Sequence, residues 1–185
     1  MDFSTLDSWG YLAIAFFSFG GSMSIVAAAA VFAYLGHINL TAALIVAIVF
    51  NFLGDNFLFY LGKYHRKDVA KYIKKYRRYL ALTKLLAKKY GVAAIFIQKF
   101  IYGVKTLIPI VMALGKYDFK KFIFFNFFAS IIFVLTIGLS AYHFSSYIIK
   151  IFNTIIDKPY IAPLFLIGII YIIYRYFKRF DKKYE

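Results

Sequence analysis

IQKFIYGVKTLIPIVMALGKY, residues 97 to 117, decides how this chain folds. The stretch is apolar enough for a bilayer, yet Lys99, Gly103, Lys105 and Pro109 fall in its middle. A plain spanning helix would bury both ammonium groups in hydrocarbon, at about 2.5–3.5 kcal/mol each even on lenient scales. Basic residues also flank the segment on both sides, Lys88 and Lys89 before it and Lys116, Lys120 and Lys121 after it. Positive charge marks the cytoplasmic side of a membrane protein, so both ends belong on one face. Each half is about ten residues, roughly 15 Å of helix, which reaches the middle of the hydrocarbon. The reading is a re-entrant hairpin over 92–115, broken near Gly103.

The rest of the chain agrees with a bilayer setting. Of 185 residues, 63% are apolar, and Ser8 to Gly54 contains no Asp, Glu, Lys or Arg. An uncharged run of that length far exceeds one spanning helix and argues for an integral membrane protein. The start, MDFSTLDSW, lacks the basic region and cleavage site of a secretory signal, so it is expected to be retained. Cysteine is absent, which removes disulfides, Cys-ligated metals and thiol nucleophiles together. The net charge of +15 is concentrated in Lys63–Lys89 and in the tail from Arg175 onward, both of which should face the cytoplasm.

Residues 40–61 and 122–144 have the length and composition of transmembrane helices, and 160–177 suffices as a third if Arg175 snorkels. Residues 11–35 are interrupted at Gly20 and Gly21; charge parity fits a full span with a cytoplasmic N-terminus as well, and the glycine pair and the repeat-like layout favour a first hairpin, entering from the face opposite the second. Between the spans, residues 63–90 form cytoplasmic basic amphipathic helices, with Val69, Tyr72, Ile73, Tyr76 and Leu80 on one face. A further short helix is expected from a Thr83 cap to a Gly91 stop. The expected fold is an all-α polytopic membrane protein in one membrane domain, 1–185, ending in a cytoplasmic tail over 178–185. Two opposed re-entrant hairpins are joined by about three full transmembrane helices and the amphipathic segment. Irregular backbone at membrane depth must be enclosed by protein or a water-filled cavity, so the two hairpins should meet near the midplane.

Asp55 falls inside the hydrocarbon zone and needs a cation, for which Lys99 and Lys105 are the nearest candidates. Two ammonium groups beside a broken helix also form an anion site, and the anion most available there is a lipid phosphate. His37, His65 and His143 are scattered, and no hydrolase, nucleotide or zinc motif occurs, so neither enzyme activity nor a metal or other cofactor is expected. The Tyr- and Lys-rich stretch 71–79 lies between membrane segments, which favours a lipid surface over nucleic acid as its partner.

The stretch KKYGVAAIFIQKFIYGVKTLIPIVMALGKYDFKKF resembles the DedA family, also called the VTT or SNARE-associated domain, whose mark is R-F-x-x-x-x-R-x-x-x-P. Lys99, Phe100, Lys105 and Pro109 fall on that pattern, with lysine in place of both arginines. Gly54, Asp55, Tyr60 and Gly62 resemble the same family's glycine–aspartate element. The first hairpin departs from the family: Gly21-Ser22-Met23 stands where an acidic P-G-E or P-G-D element is usual, leaving Asp55 as the candidate proton carrier. The resemblance implies a translocase of phosphate-bearing lipid, undecaprenyl phosphate or phospholipid, in a bacterial inner membrane. The substrate site would comprise Lys99, Lys105, Asp55, Gly103 and Pro109, with Gly20, Gly21, Gly54, Tyr60, Gly62 and Phe100 shaping it. An ion-coupled small-solute transporter and a non-transporting scaffold are the alternatives, and a homo-oligomer is left open.

Overall fold

The computed structural model of the chain describes residues 3–66, 69, 77–101 and 105–157. The expected span over 160–177, the cytoplasmic tail, Gly103 and most of the basic segment before Arg77 lie outside them. The described residues are mostly helical, with turns between the helices and no strand among them. Residues up to His143 form one compact unit, and those from Phe144 form another.

Two helices organise the first unit: α3 (Leu40–Tyr64) and α7 (Phe119–His143), of 25 residues each. At 1.5 Å per residue each is about 37 Å long, enough to cross a hydrocarbon core of about 30 Å. They run antiparallel, since Leu44 meets Gly138 near one end and Phe59 stacks on Phe122 near the other, ring centroids 4.5 Å apart. Each carries an unbroken stripe of exposed apolar side chains: Ile45, Val49, Leu53 and Phe57 on α3, and Phe124, Phe128, Ile132, Leu135 and Leu139 on α7. Stripes of this extent, on two helices long and apolar enough to cross a bilayer, fit a membrane protein.

The first broken segment is α1 (Phe3–Phe19) followed by α2 (Met23–Tyr34). Gly21 takes a left-handed φ of 70°, and the N–H groups of Gly21 and Ser22 turn back to Ser18 O and Phe17 O, closing α1. Ser22 then caps α2 by accepting from the Ile25 N–H. The chain therefore reverses in three residues. At the far end of this segment, Tyr11 accepts a hydrogen bond from the Asn39 N–H at 2.9 Å, fixing α1 to the start of α3. At the tip, the main chain of Phe19 lies directly on Gly54, so close that no β-carbon fits there. The hairpin thus begins and ends beside the first turn of α3 and reaches the middle of that helix.

The second broken segment comprises α5 (Ala93–Ile97), a 3₁₀ turn at Gln98–Phe100 and α6 (Leu107–Leu114). It is preceded by α4 (Arg77–Tyr90). Here the structure corrects the expected Thr83 cap: α4 passes through Thr83 without a break, and Thr83 is fully buried within it. Gly91 does stop the helix, with φ 51°. α6 lies on the other end of α3, where Gly62 meets the backbone of Ile110 and the side chain of Ala113, and the Arg66 guanidinium reaches Ala113 O. Pro109 occupies the first turn of α6, where a missing N–H leaves no hydrogen bond unmade.

The packing partners follow a swap. α1 and α6 pack on α3, whereas α2 and α5 pack on α7. Each broken segment thus lays one arm against each long helix, in opposite chain order, as a two-fold relation between α1–α3 and α5–α7 requires.

In the second unit, α8 (Ser145–Asp157) lies between the spans expected over 122–144 and 160–177, where no element was expected. Its sequence places Tyr147, Ile148, Ile151 and Ile155 at amphipathic spacing.

Candidate functional site

Lys99 leaves the 3₁₀ turn of the second segment and ends between the two long helices. Its ammonium donates to Asn51 Oδ1 at 2.6 Å, Asp55 Oδ2 at 2.6 Å and Ser130 Oγ at 3.0 Å. An ammonium has three N–H groups, and these acceptors take all of them. Asn51 and Asp55 are four apart on α3 and share a face. Ser130 completes the cage from α7, its own hydroxyl donating a hydrogen bond to Asn126 O at 2.9 Å. Lys99 is 3% exposed, and Asp55 is its salt-bridge partner. A buried cation is tolerated when an opposite charge and complete hydrogen bonding replace its water, and both are present here.

Asn51 and Ser130 each lie within one residue of the middle of a 25-residue helix. The cage is therefore at mid-depth of the long helices. Asp55 is about one helical turn beyond the midpoint of α3.

The two tips close over this cage. A small cavity of about 10 Å³ is lined by Gly20 and Gly21 from the first tip, Lys105 and Thr106 from the second, and Asn51, Asp55, Lys99 and Phe133 around them. A β-carbon on Gly21 would stand 3.2 Å from Lys105 Nζ and 3.6 Å from Asn51 Nδ2. Lys105 is half-buried and makes no hydrogen bond or ion pair with the described residues. The N–H groups of Gly21 and Ser22 are spent inside their own turn, and the Lys99 ammonium is fully engaged, so Lys105 is the cationic donor among the described lining residues that no acceptor holds.

The sequence-derived residues thus separate into two sets. Lys99, Lys105, Asp55, Gly20 and Gly21 line one cavity. Gly54 and Gly62 hold the two broken segments against α3 and do not line it. Tyr60 is exposed beside Tyr64, Phe100 packs edge-on against Phe133, and Pro109 is buried within α6. Asn51, Ser130, Thr106 and Phe133 were not anticipated. The polar pairs Asn51/Asp55 and Asn126/Ser130, each four residues apart in otherwise apolar helices, were the signal that could have found the acceptors. Gln98 is also completely buried, and neither end of its amide has a partner among the described residues.

Together the long apolar helices and the enclosed ion cluster define a helical membrane protein with a polar site at the meeting of two broken segments. Residues 19–153 match the model of the VTT domain, and the chain belongs to that family, the DedA or SNARE-associated domain family. The match spans both breaks and both long helices. No curated protein and no solved structure gave a significant match.

Proposed function

We propose that this chain is a translocase for lipids bearing a phosphate headgroup, such as undecaprenyl phosphate or a phospholipid, in a bacterial inner membrane. In this reading α1–α2 and α5–α6 are re-entrant hairpins entering from opposite faces, and the chain crosses the bilayer several times. Three features support it. The first hairpin starts and ends at one end of α3, the second lies along the other end, and both tips meet at its middle. Lys63, Arg66, Lys120 and Lys121 cluster at the end shared by the finish of α3 and the start of α7, which fits the cytoplasmic side.

Lys105 carries the assignment. A cation at mid-depth with no hydrogen-bond or ion-pair partner among the described residues is stabilised by a counter-charge from outside the protein, and in a bilayer the abundant anion is lipid phosphate. Lys99 is held by Asp55 in the closed arrangement and supports the pocket wall. The cavity, with room for about one water, is too small for a phosphate group with its several oxygens. Passage of a headgroup therefore requires the Gly20–Gly21 tip to move away from Lys105 and Thr106, first toward one face and then toward the other.

The test is translocation of a fluorescent phosphate-bearing lipid in proteoliposomes. Lys105→Gln should lower the rate at least tenfold while the purified protein melts as the wild type does. A wild-type rate in that variant, or flux of a soluble ion with no lipid movement, would end the assignment.

A further inference from the structure

We propose that the pocket carries lipid phosphate in a singly charged form: a phosphodiester headgroup as it stands, and a phosphomonoester only after it has taken up a proton. This rests on the lipid-phosphate reading above and specifies which charge state can travel.

The reason is the count of charges around the cavity. α3 contributes Asp55, the 3₁₀ turn contributes Lys99, and the second tip contributes Lys105. The first tip presents Gly20 and Gly21, and α7 presents Ser130 and Phe133; neither adds a titratable group among the described residues. Asp55 and Lys99 neutralise each other at 2.6 Å, and the remaining two N–H groups of Lys99 are taken by Asn51 and Ser130. One positive charge is left, on Lys105.

Away from water, an ion is accommodated when its charge is matched. One anionic charge on the lipid closes the account with Lys105, whereas a second would stay uncompensated. Lys99 is not available to meet it, because leaving Asp55 would strand a buried carboxylate. Lysine is a compact point charge, not the two-pronged donor that could spread over a dianion. A phosphomonoester has its second pKa near 6, so above that pH its singly charged form becomes a minority. A phosphodiester keeps one charge throughout.

The experiment compares two fluorescent lipids with identical tails in wild-type proteoliposomes, phosphatidic acid and its methyl phosphodiester, with protein-free rates subtracted. Between about pH 6 and 8 the diester rate should hold within twofold, while the monoester rate falls up to about tenfold per unit above its second pKa. Monoester transport as fast at the alkaline end as the diester overturns the charge rule alone. If neither lipid moves above the protein-free rate, the transport reading fails and this inference with it. Asp55→Asn adds a second arm, since it keeps a hydrogen-bond acceptor for Lys99 and raises the pocket to two positive charges. It should flatten the monoester profile, and an unchanged profile in folded protein overturns the proposal. Should that variant not fold, the wild-type pH series decides by itself.

Discussion

Gly21 and Lys105, 84 positions apart in the chain, meet where the two broken segments touch: a β-carbon on the glycine would lie 3.2 Å from the lysine Nζ and 3.3 Å from its Cε. Glycine is needed there twice over, for its left-handed φ of 70° and for the space it leaves to the ammonium. The contact brings a cation to the mouth of a pocket whose other cation is already paired.

If that contact closes the pathway, locking it should stop transport. The chain has no cysteine, so Gly20→Cys with Thr106→Cys introduces the only two thiols. Both positions line the same cavity, and a bifunctional thiol reagent should join them. Lipid translocation should fall to the protein-free rate on cross-linking and return when a cleavable linker is cut. Cross-linking with no loss of rate would show that the tips need not part.

Lys99 should matter first for folding. Lys99→Met leaves Asp55 without its cation in a buried setting, at a cost of about 3–5 kcal/mol. Adding Asp55→Asn removes the stranded charge and should regain most of that loss. Thermal or denaturant unfolding in detergent reads both, and a double variant no more stable than the single one would contradict the buried-pair account.

Two glycines, Gly54 on α3 and Gly10 on α1, should respond in opposite directions. At Gly54 a methyl would run into the main chain of Phe19, with its carbonyl carbon at 2.8 Å, so Gly54→Ala should cost about 3 kcal/mol, the upper end for over-packing. At Gly10 the nearest atom is Ile38 Cγ2 at 3.7 Å, an ordinary contact, so Gly10→Ala should stabilise α1 by about 0.5–1 kcal/mol. Melting curves of the two variants separate these outcomes.

Lys116 has a φ of 61°, where a side chain is strained, and closes α6 through the Tyr117 N–H to Met112 O. Lys116→Gly should therefore raise stability by about 1 kcal/mol, measurable as a higher melting temperature. A fall would mean that the lysine charge matters more than the backbone strain.

How far the sequence could be read depended on the kind of signal. The Gly20–Gly21 break was legible because glycine punctuates an apolar run, and Gly91 because it ends a helix with lysines in its last turn. Thr83 misled because the same hydroxyl that caps a helix can also be buried within one, and neighbouring elements decide between the two. α8 went unread because it falls between two expected spans and is too short to cross a bilayer, so only the spacing of its isoleucines marks it.

What the chain's composition and charge order determined was its class of surroundings: long uncharged runs that suit a bilayer, basic residues gathered in blocks, and ionisable groups inside apolar stretches that had to find company. That information is local, since hydropathy and charge belong to each residue wherever it ends up. Which company each group found was decided only by the packing of α3 against α7. A quarter-turn of either helix would aim Asn51 or Ser130 elsewhere and leave Lys99 with unsatisfied N–H groups. The same packing spent Lys99 on Asp55 and left Lys105 open, a difference between two lysines that nothing in their own neighbourhoods of sequence records.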